Sequence, residues 1–147
     1  MDKDTLEAAV PGSLLNAGQI HALLRTVPNA CAAPVLMVLP VSPVQEVIAS
    51  AVAPLQVALV SMPVTSSQAS VQRAMAHFRP STVICSTEIF GWVSKLAFLA
   101  GSSAVFTYAE DGAGTLCDRA AHFACQDLSK ERAQIVVLDA QGDMVCA

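Results

Sequence analysis

The sequence predicts an α/β fold, a three-layer α/β/α sandwich around a mostly parallel five-stranded sheet. Three observations carry this expectation. Apolar runs without alternation, such as Val35 to Leu39 and Val57 to Met62, suit strands buried on both faces. The segments between such runs place their apolar residues on one side at helical spacing. The two kinds of segment alternate strictly with short links, and such βαβ units force parallel pairing.

Residues 1–12, ending at Pro11-Gly12, read as a loose arm, and residues 13–147 as one domain. Ile20, Leu23, Leu24 and Val27 fall at i, i+3, i+4 and i+7 of a first helix, which Pro28 stops. The strand Val35 to Leu39 follows. Ser42 is then expected to cap a helix with Pro43 in its first turn. Val44, Val47, Ile48, Ala51, Val52 and Leu55 give that helix its apolar face, and Pro54 predicts a distorted last turn.

Val57 to Met62 is the second strand. A helix starts near Thr65-Ser66-Ser67 and presents Val71, Met75 and Phe78 before Arg79-Pro80 ends it. Thr82 to Cys85 is the third strand. Ser86 or Thr87 is expected to cap the next helix, with Ile89, Trp92, Val93, Leu96 and Leu99 on one face and Gly101 as its stop. Ala104 to Tyr108 is the fourth strand. A helix from about Gly114 to Asp127 turns Leu116, Ala120 and Phe123 inward. Gln134 to Leu138 is the fifth strand, followed by a turn at Ala140 to Asp143 and a short return at Met144 to Cys146.

Composition narrows the function. The chain has 147 residues, enough for one domain with a real core. It is 54% hydrophobic and 14% charged, where about 25% charged is usual in soluble proteins. Between Arg25 and Arg73 the only charged residue is Glu46. Either that stretch is the buried centre of the domain, or another chain covers one face of it. A net charge of −4 without a basic patch argues against nucleic acid. Prolines interrupt the longest apolar stretches, so no membrane span is expected. The acidic N-terminus lacks a secretory h-region. Five cysteines, an odd count without metal-ligand spacing, read as reduced thiols of a cytoplasmic protein. Cys85, Cys117 and Cys125 sit in apolar-patterned segments as small hydrophobes.

The sequence holds no complete catalytic motif. There is no G-x-S-x-G elbow and no G-x-x-x-x-G-K-[ST] loop. Ser42, Ser66, Ser67 and Thr87 read as helix caps. His21, His77 and His122 lie in helices without a cysteine or carboxylate at ligand spacing. The most suggestive stretch is Asp111-Gly112-Ala113-Gly114-Thr115-Leu116-Cys117, a G-x-G turn between a strand and a helix. With Asp139 at the end of the next strand, it resembles the dinucleotide fingerprint of Rossmann dehydrogenases. The resemblance implies that Gly112, Gly114 and Thr115 hold a pyrophosphate and Asp139 a ribose of an adenine nucleotide. Glu110 and Asp111 depart from it by placing two negative charges before the turn. As a plain structural feature, the same stretch is a tight turn needing glycine for backbone freedom.

A longer resemblance covers about residues 18 to 138. The run Val35 to Ser42, with Leu39-Pro40-Val41-Ser42 at its end, is similar to the "LPNS" strand of adenylate-forming (AMP-forming) acyl-CoA synthetases and ligases. Val44 to Val64, ending Ser61-Met62-Pro63-Val64, resembles that family's "ALLAVLKAGAVVVPL" stretch. Ser67 to Ser86 resembles its next helix and strand. The resemblance is to the N-terminal subdomain. In that family a hydroxyl-rich phosphate loop ending in lysine follows a strand close to Gln134–Leu138. Here Asp139-Ala140-Gln141-Gly142-Asp143-Met144 stands in its place, so none of the family's catalytic residues carries over. The resemblance implies a catalytically silent module, or part of a larger acyl-activating enzyme, with a homo-oligomer or a larger protein as partner. An unrecognised α/β interaction domain is the remaining alternative.

Overall fold

The computed structural model describes residues 16–109, 111, 113–124 and 133–144. The N-terminal arm, Gly112, Cys125 and Cys146 lie outside the described residues. Among the described residues, five α-helices and five strands alternate: α1 Ala17–Arg25, β1 Val35–Val38, α2 Val44–Val52, β2 Leu59–Met62, α3 Gln68–Phe78, β3 Thr82–Ser86, α4 Phe90–Ala100, β4 Ala104–Tyr108, α5 Thr115–Ala120 and β5 Ile135–Val137. The sheet order is β4-β3-β1-β2-β5, and every pairing is parallel. An antiparallel bridge between Leu138 and Met144 closes the turn after β5.

The central strand β1 is buried at all four positions, so both of its faces need helical cover. Val35 and Met37 look into a core that α1, α2 and α5 close with Ile20, Leu24, Ile48 and Leu116. Leu36 and Val38 look into a second core, closed by α3 and α4 with Val71, Met75, Val93 and Ala97. This is the α/β/α sandwich that the sequence predicts. The charge-poor stretch from residue 26 to 72 holds β1, α2 and β2, and much of it is core. It is therefore mainly the centre of the domain.

Helix ends agree with the sequence reading in part. Asn16 caps α1, its side chain accepting from the Gly18 and Gln19 amides. Ser67 caps α3 by accepting from the Ser70 amide. Gly101 ends α4 at a φ of 85°. Pro54 sits in a 3-10 turn, Ala53–Leu55, that finishes α2 as expected. The caps expected of Ser42, Ser66 and Thr87 are not made. Pro43 already has helical dihedrals and is itself the N-cap, so the Ser42 carbonyl, rather than its hydroxyl, accepts from the Gln45 amide. Ser66 donates its hydroxyl back to the Pro63 carbonyl. Ser86 and Thr87 enter a 3-10 turn, Thr87–Ile89, without a side-chain cap bond. Helix α5 stops at Ala120, short of the expected end near Asp127. The following amides of His122 and Phe123 bond three residues back, and the Phe123 carbonyl turns to accept from Gln19.

Two cysteines show what burial does to a thiol. Cys85 on β3 is fully buried, and burial pushes its pKa from 9.0 up to about 12. Cys117 is half-buried and rises to about 11, through burial first and then the nearby Asp118 and Asp111 carboxylates. Cys31 is exposed. Below pH 9.0 the Cys85 thiol is protonated in both folded and unfolded chains. Above it the unfolded chain ionises first, so stability falls until the pH reaches the folded value. The stability loss above pH 9.0 should therefore be shallower in Cys85→Ala than in the parent, as read by urea midpoints. Peptide mapping after brief alkylation should find Cys31 modified and Cys85 untouched.

Candidate functional site

The strand order creates one crevice. From β1 the chain crosses to β2 on one side, then returns to β3 on the other side of β1. The link after β1 enters α2 on one face, while the link after β3 enters α4 on the opposite face. The two links diverge and leave an opening at the carboxyl ends of the strands, where open α/β sheets bind ligands. A cavity of about 380 Å³ lies there, lined by Pro40 and Ser42 after β1, Ser86, Thr87 and Glu88 at β3, and Tyr108, Ala109 and Asp111 at β4.

Local bonds fix each wall. The Gln45 side chain donates to the Pro40 carbonyl at 3.0 Å, holding the β1 loop against the start of α2. Ser86 is 6% exposed, and its hydroxyl donates to the Glu88 carboxylate at 3.5 Å. Tyr108 is 5% exposed at the end of β4. Asp111 accepts from the Ala113 amide at 2.9 Å, and the Ala109 amide donates to the Ala113 carbonyl at 2.8 Å. Among the described residues, the walls carry four hydroxyl-bearing residues and two carboxylates, and no lysine, arginine or histidine.

The sequence-nominated residues Gly114, Thr115 and Asp139 do not meet. Gly114 and Thr115 follow β4, Asp139 follows β5, and these strands are the two opposite edges of the sheet. Four strand spacings, about 19 Å, separate those edges. A dinucleotide fingerprint needs its two strands side by side. Gly112 is outside the described residues.

The turn at Gly114 instead closes the β4 edge. The Thr107 amide donates to the Thr115 hydroxyl at 2.9 Å, and the Thr115 amide donates to the Thr107 hydroxyl at 3.0 Å. The first amide of α5 is thus used inside the protein, as is the Ala113 amide. Gly114 makes the approach possible. Its φ is 119°, and a Cβ there would lie 2.4 Å from the Thr107 carbonyl oxygen. On the far edge, Asp139 accepts from the Gln141 and Asp143 amides and shapes its own turn. Arg73 of α3 donates to the Gln141 carbonyl and ties that turn down.

The remaining nominated side chains have plain surroundings. His21 is buried, with Nδ1 3.1 Å from the Ala51 carbonyl. His77 is exposed and meets Phe78 edge-on, and His122 is exposed. Trp92 is half-buried against the second core. Among the described residues no group of three or more His, Cys, Asp or Glu could hold a metal ion. No helix among them is long and apolar enough to cross a membrane. Glu88 and Tyr108 line the cavity without having been marked as site residues by the sequence.

Apo MatB from Rhodopseudomonas palustris superposes with a TM-score of 0.62 at 21% identity, covering 82% of this chain and 25% of that one. ATP-bound MatB from the same organism gives 0.61 at 21% identity, covering 81% and 22%. The luciferase-like enzyme of the nonluminescent Zophobas morio mealworm gives 0.61 at 15% identity, covering 82% and 30%. The chain has the fold of one portion of an adenylate-forming ligase. It spans about a quarter of the length of MatB, which fits a partial N-terminal subdomain. No protein-family model and no curated protein sequence matches it.

Proposed function

We propose that this chain is a catalytically silent portion of a larger acyl-activating enzyme, packed against the remainder of that enzyme through apolar surface. The observation that carries the reading is the asymmetry of coverage: 82% of this chain corresponds to only 25% of MatB. Chemistry supports silence. The crevice offers carboxylates where a triphosphate needs cations, and the turn after β5 spends the Asp139 carboxylate on its own amides.

Surface supports packing. Helix α4 exposes Phe98 at 82% and Leu99 at 76%, with Phe90 at 41% on the same helix. Neighbouring large side chains exposed together mark interfaces more often than solvent-facing helices. The occupant is the remaining polypeptide of the enzyme, which in MatB amounts to most of the chain outside the matched portion. An adenine nucleotide would be bound by that assembly, in the cytoplasm, and not by this portion alone.

The test is a pyrophosphate-release assay on the purified chain with MgATP, coenzyme A and a panel of short carboxylic acids, run beside a calorimetric ATP titration. No release above the protein-free rate and no saturable heat are expected. Turnover, or micromolar ATP binding, by the chain alone would overturn the proposal.

A further inference from the structure

A second cavity, of about 330 Å³, lies at the outer edge of β4, between the end of α1 and helix α5. We propose that it receives the C-terminal tail of a partner polypeptide, with the terminal carboxylate on Arg119 and the last side chain in the cavity. The volume is within the size range of specific ligand sites.

The strand supplies the first part of the site. β4 is an end strand of the sheet among the described residues, and its register with β3 shows which way its amides face. Successive residues beside a parallel neighbour turn their N–H and C=O groups alternately to the two sides of the strand. The Ala104 amide donates toward β3, to the Ser81 carbonyl. The Thr107 amide donates outward, to the Thr115 hydroxyl. Val105 therefore faces outward as Thr107 does. Among the described residues nothing accepts from its N–H or donates to its C=O. Val105 lines the cavity, so one unpaired donor and one unpaired acceptor border it. Their complement is a peptide unit, which is what exposed strand edges pair with.

Helix α5 supplies the second part. The two bonds between Thr107 and Thr115 shut the edge beyond Val105, so a strand cannot run past. A chain that ends there fits. Arg119 follows Thr115 by four residues, which places both on one side of α5, and both line the cavity. Arg119 is exposed, and among the described residues no carboxylate pairs with it or lines this cavity. A guanidinium matches a carboxylate with two parallel N–H bonds. Leu23, Val27 and Phe106 give an apolar floor for a side chain.

Other occupants suit the lining less well. A phosphate ion would satisfy Arg119 but set an anion against the Val105 carbonyl. An apolar ligand would strip water from the guanidinium and the edge amide with nothing in return. A second copy of this edge would bring its own closed Thr107–Thr115 pair and a second Arg119.

The inference is independent of the larger-enzyme reading, and its test separates the two. The full chain is titrated into fluorescein-labelled Gly-Ser-Gly-Val, Gly-Ser-Gly-Leu and Gly-Ser-Gly-Phe, each as free acid and as C-terminal amide, and polarisation is read. At least one free acid should bind saturably, and its amide about tenfold more weakly, the loss expected for a charge-assisted hydrogen bond. Arg119→Gln should fold as the parent does, because the side chain is exposed, and should weaken the acid by about tenfold while leaving the amide unchanged. Methylating the last amide nitrogen of the peptide keeps its carboxylate and should still weaken binding by about fivefold, since Val105 loses its donor. No saturable binding by any free acid, equal binding of acid and amide, or full affinity in Arg119→Gln would overturn the proposal. Equal competition by acetyl-leucine or inorganic phosphate would overturn it by assigning the cavity to a small anion. A dimer in light scattering that the peptide dissociates would overturn it by assigning the edge to a second copy. Failure here leaves the pyrophosphate test of the larger-enzyme reading unaffected.

Discussion

Gly114→Ala is expected to destabilise the chain by about 2–5 kcal/mol, since strain and overlap add at that position. The φ of 119° lies where an L side chain is strained. The added Cβ would also sit 2.4 Å from the Thr107 carbonyl oxygen, a backbone atom of β4 that cannot step aside alone. Relief requires α5 to lift from the sheet edge. Lifting it breaks both bonds of the Thr107–Thr115 pair and withdraws Leu116, which is fully buried. Gly101→Ala is the control. Its φ of 85° is also positive, but nothing lies within 4 Å of a Cβ there. It should cost only the backbone strain, about 1–2 kcal/mol. Urea denaturation separates the two positions, and equal losses would mean that contact with Thr107 plays no part. Thr115→Val removes the shared hydroxyl and Thr115→Ser keeps it. The first should lose more than the second if the exchanged bonds hold the edge.

This turn also shows where sequence reading stops. Gly112, Gly114 and Thr115 resemble a phosphate-binding turn in the sequence, because glycines between a strand and a helix serve both purposes. What decides between them is which strand lies next to β4, and no local pattern carries that. Asp139 ends the following strand in sequence, yet β5 pairs with β2 at the far edge of the sheet. By contrast, the unbroken apolar run from Val35 to Leu39 announced a strand covered on both sides, and β1 is the sheet's centre. Burial on two faces leaves a mark on every residue of a strand, so it is legible. Strand order leaves its mark only on links, whose prolines and small residues fit several routes. The crevice follows the same logic. Its loops were readable as strand ends, but Glu88 and Tyr108 became neighbours only through the β1–β3 and β3–β4 pairings.

The apolar residues of the two helices α1 and α4 should respond to mutation in opposite ways. Leu24 of α1 is fully buried between α2 and the sheet, whereas Leu99 of α4 is 76% exposed and Phe98 is 82% exposed. Leu24→Ala leaves a cavity in the first core and should cost about 3–4 kcal/mol. Phe98→Ser with Leu99→Ser removes far more apolar surface, yet little of it is covered within the chain. The unfolding free energy read by urea denaturation should therefore stay within about 0.5 kcal/mol of the parent. The same double variant should lose most of the fluorescence of an apolar dye bound by the parent, because α4 carries the exposed patch. Its light-scattering mass should fall to 15.3 kDa if the parent self-associates through that face in the absence of its partner. Sequence periodicity cannot make this distinction. Leu24 and Leu99 both lie on apolar helical stripes, and a stripe facing the chain's own sheet reads like one facing another polypeptide. A large stability loss in the double variant would mean that Phe98 and Leu99 belong to the fold itself, and α4 would then present no surface to the rest of an enzyme.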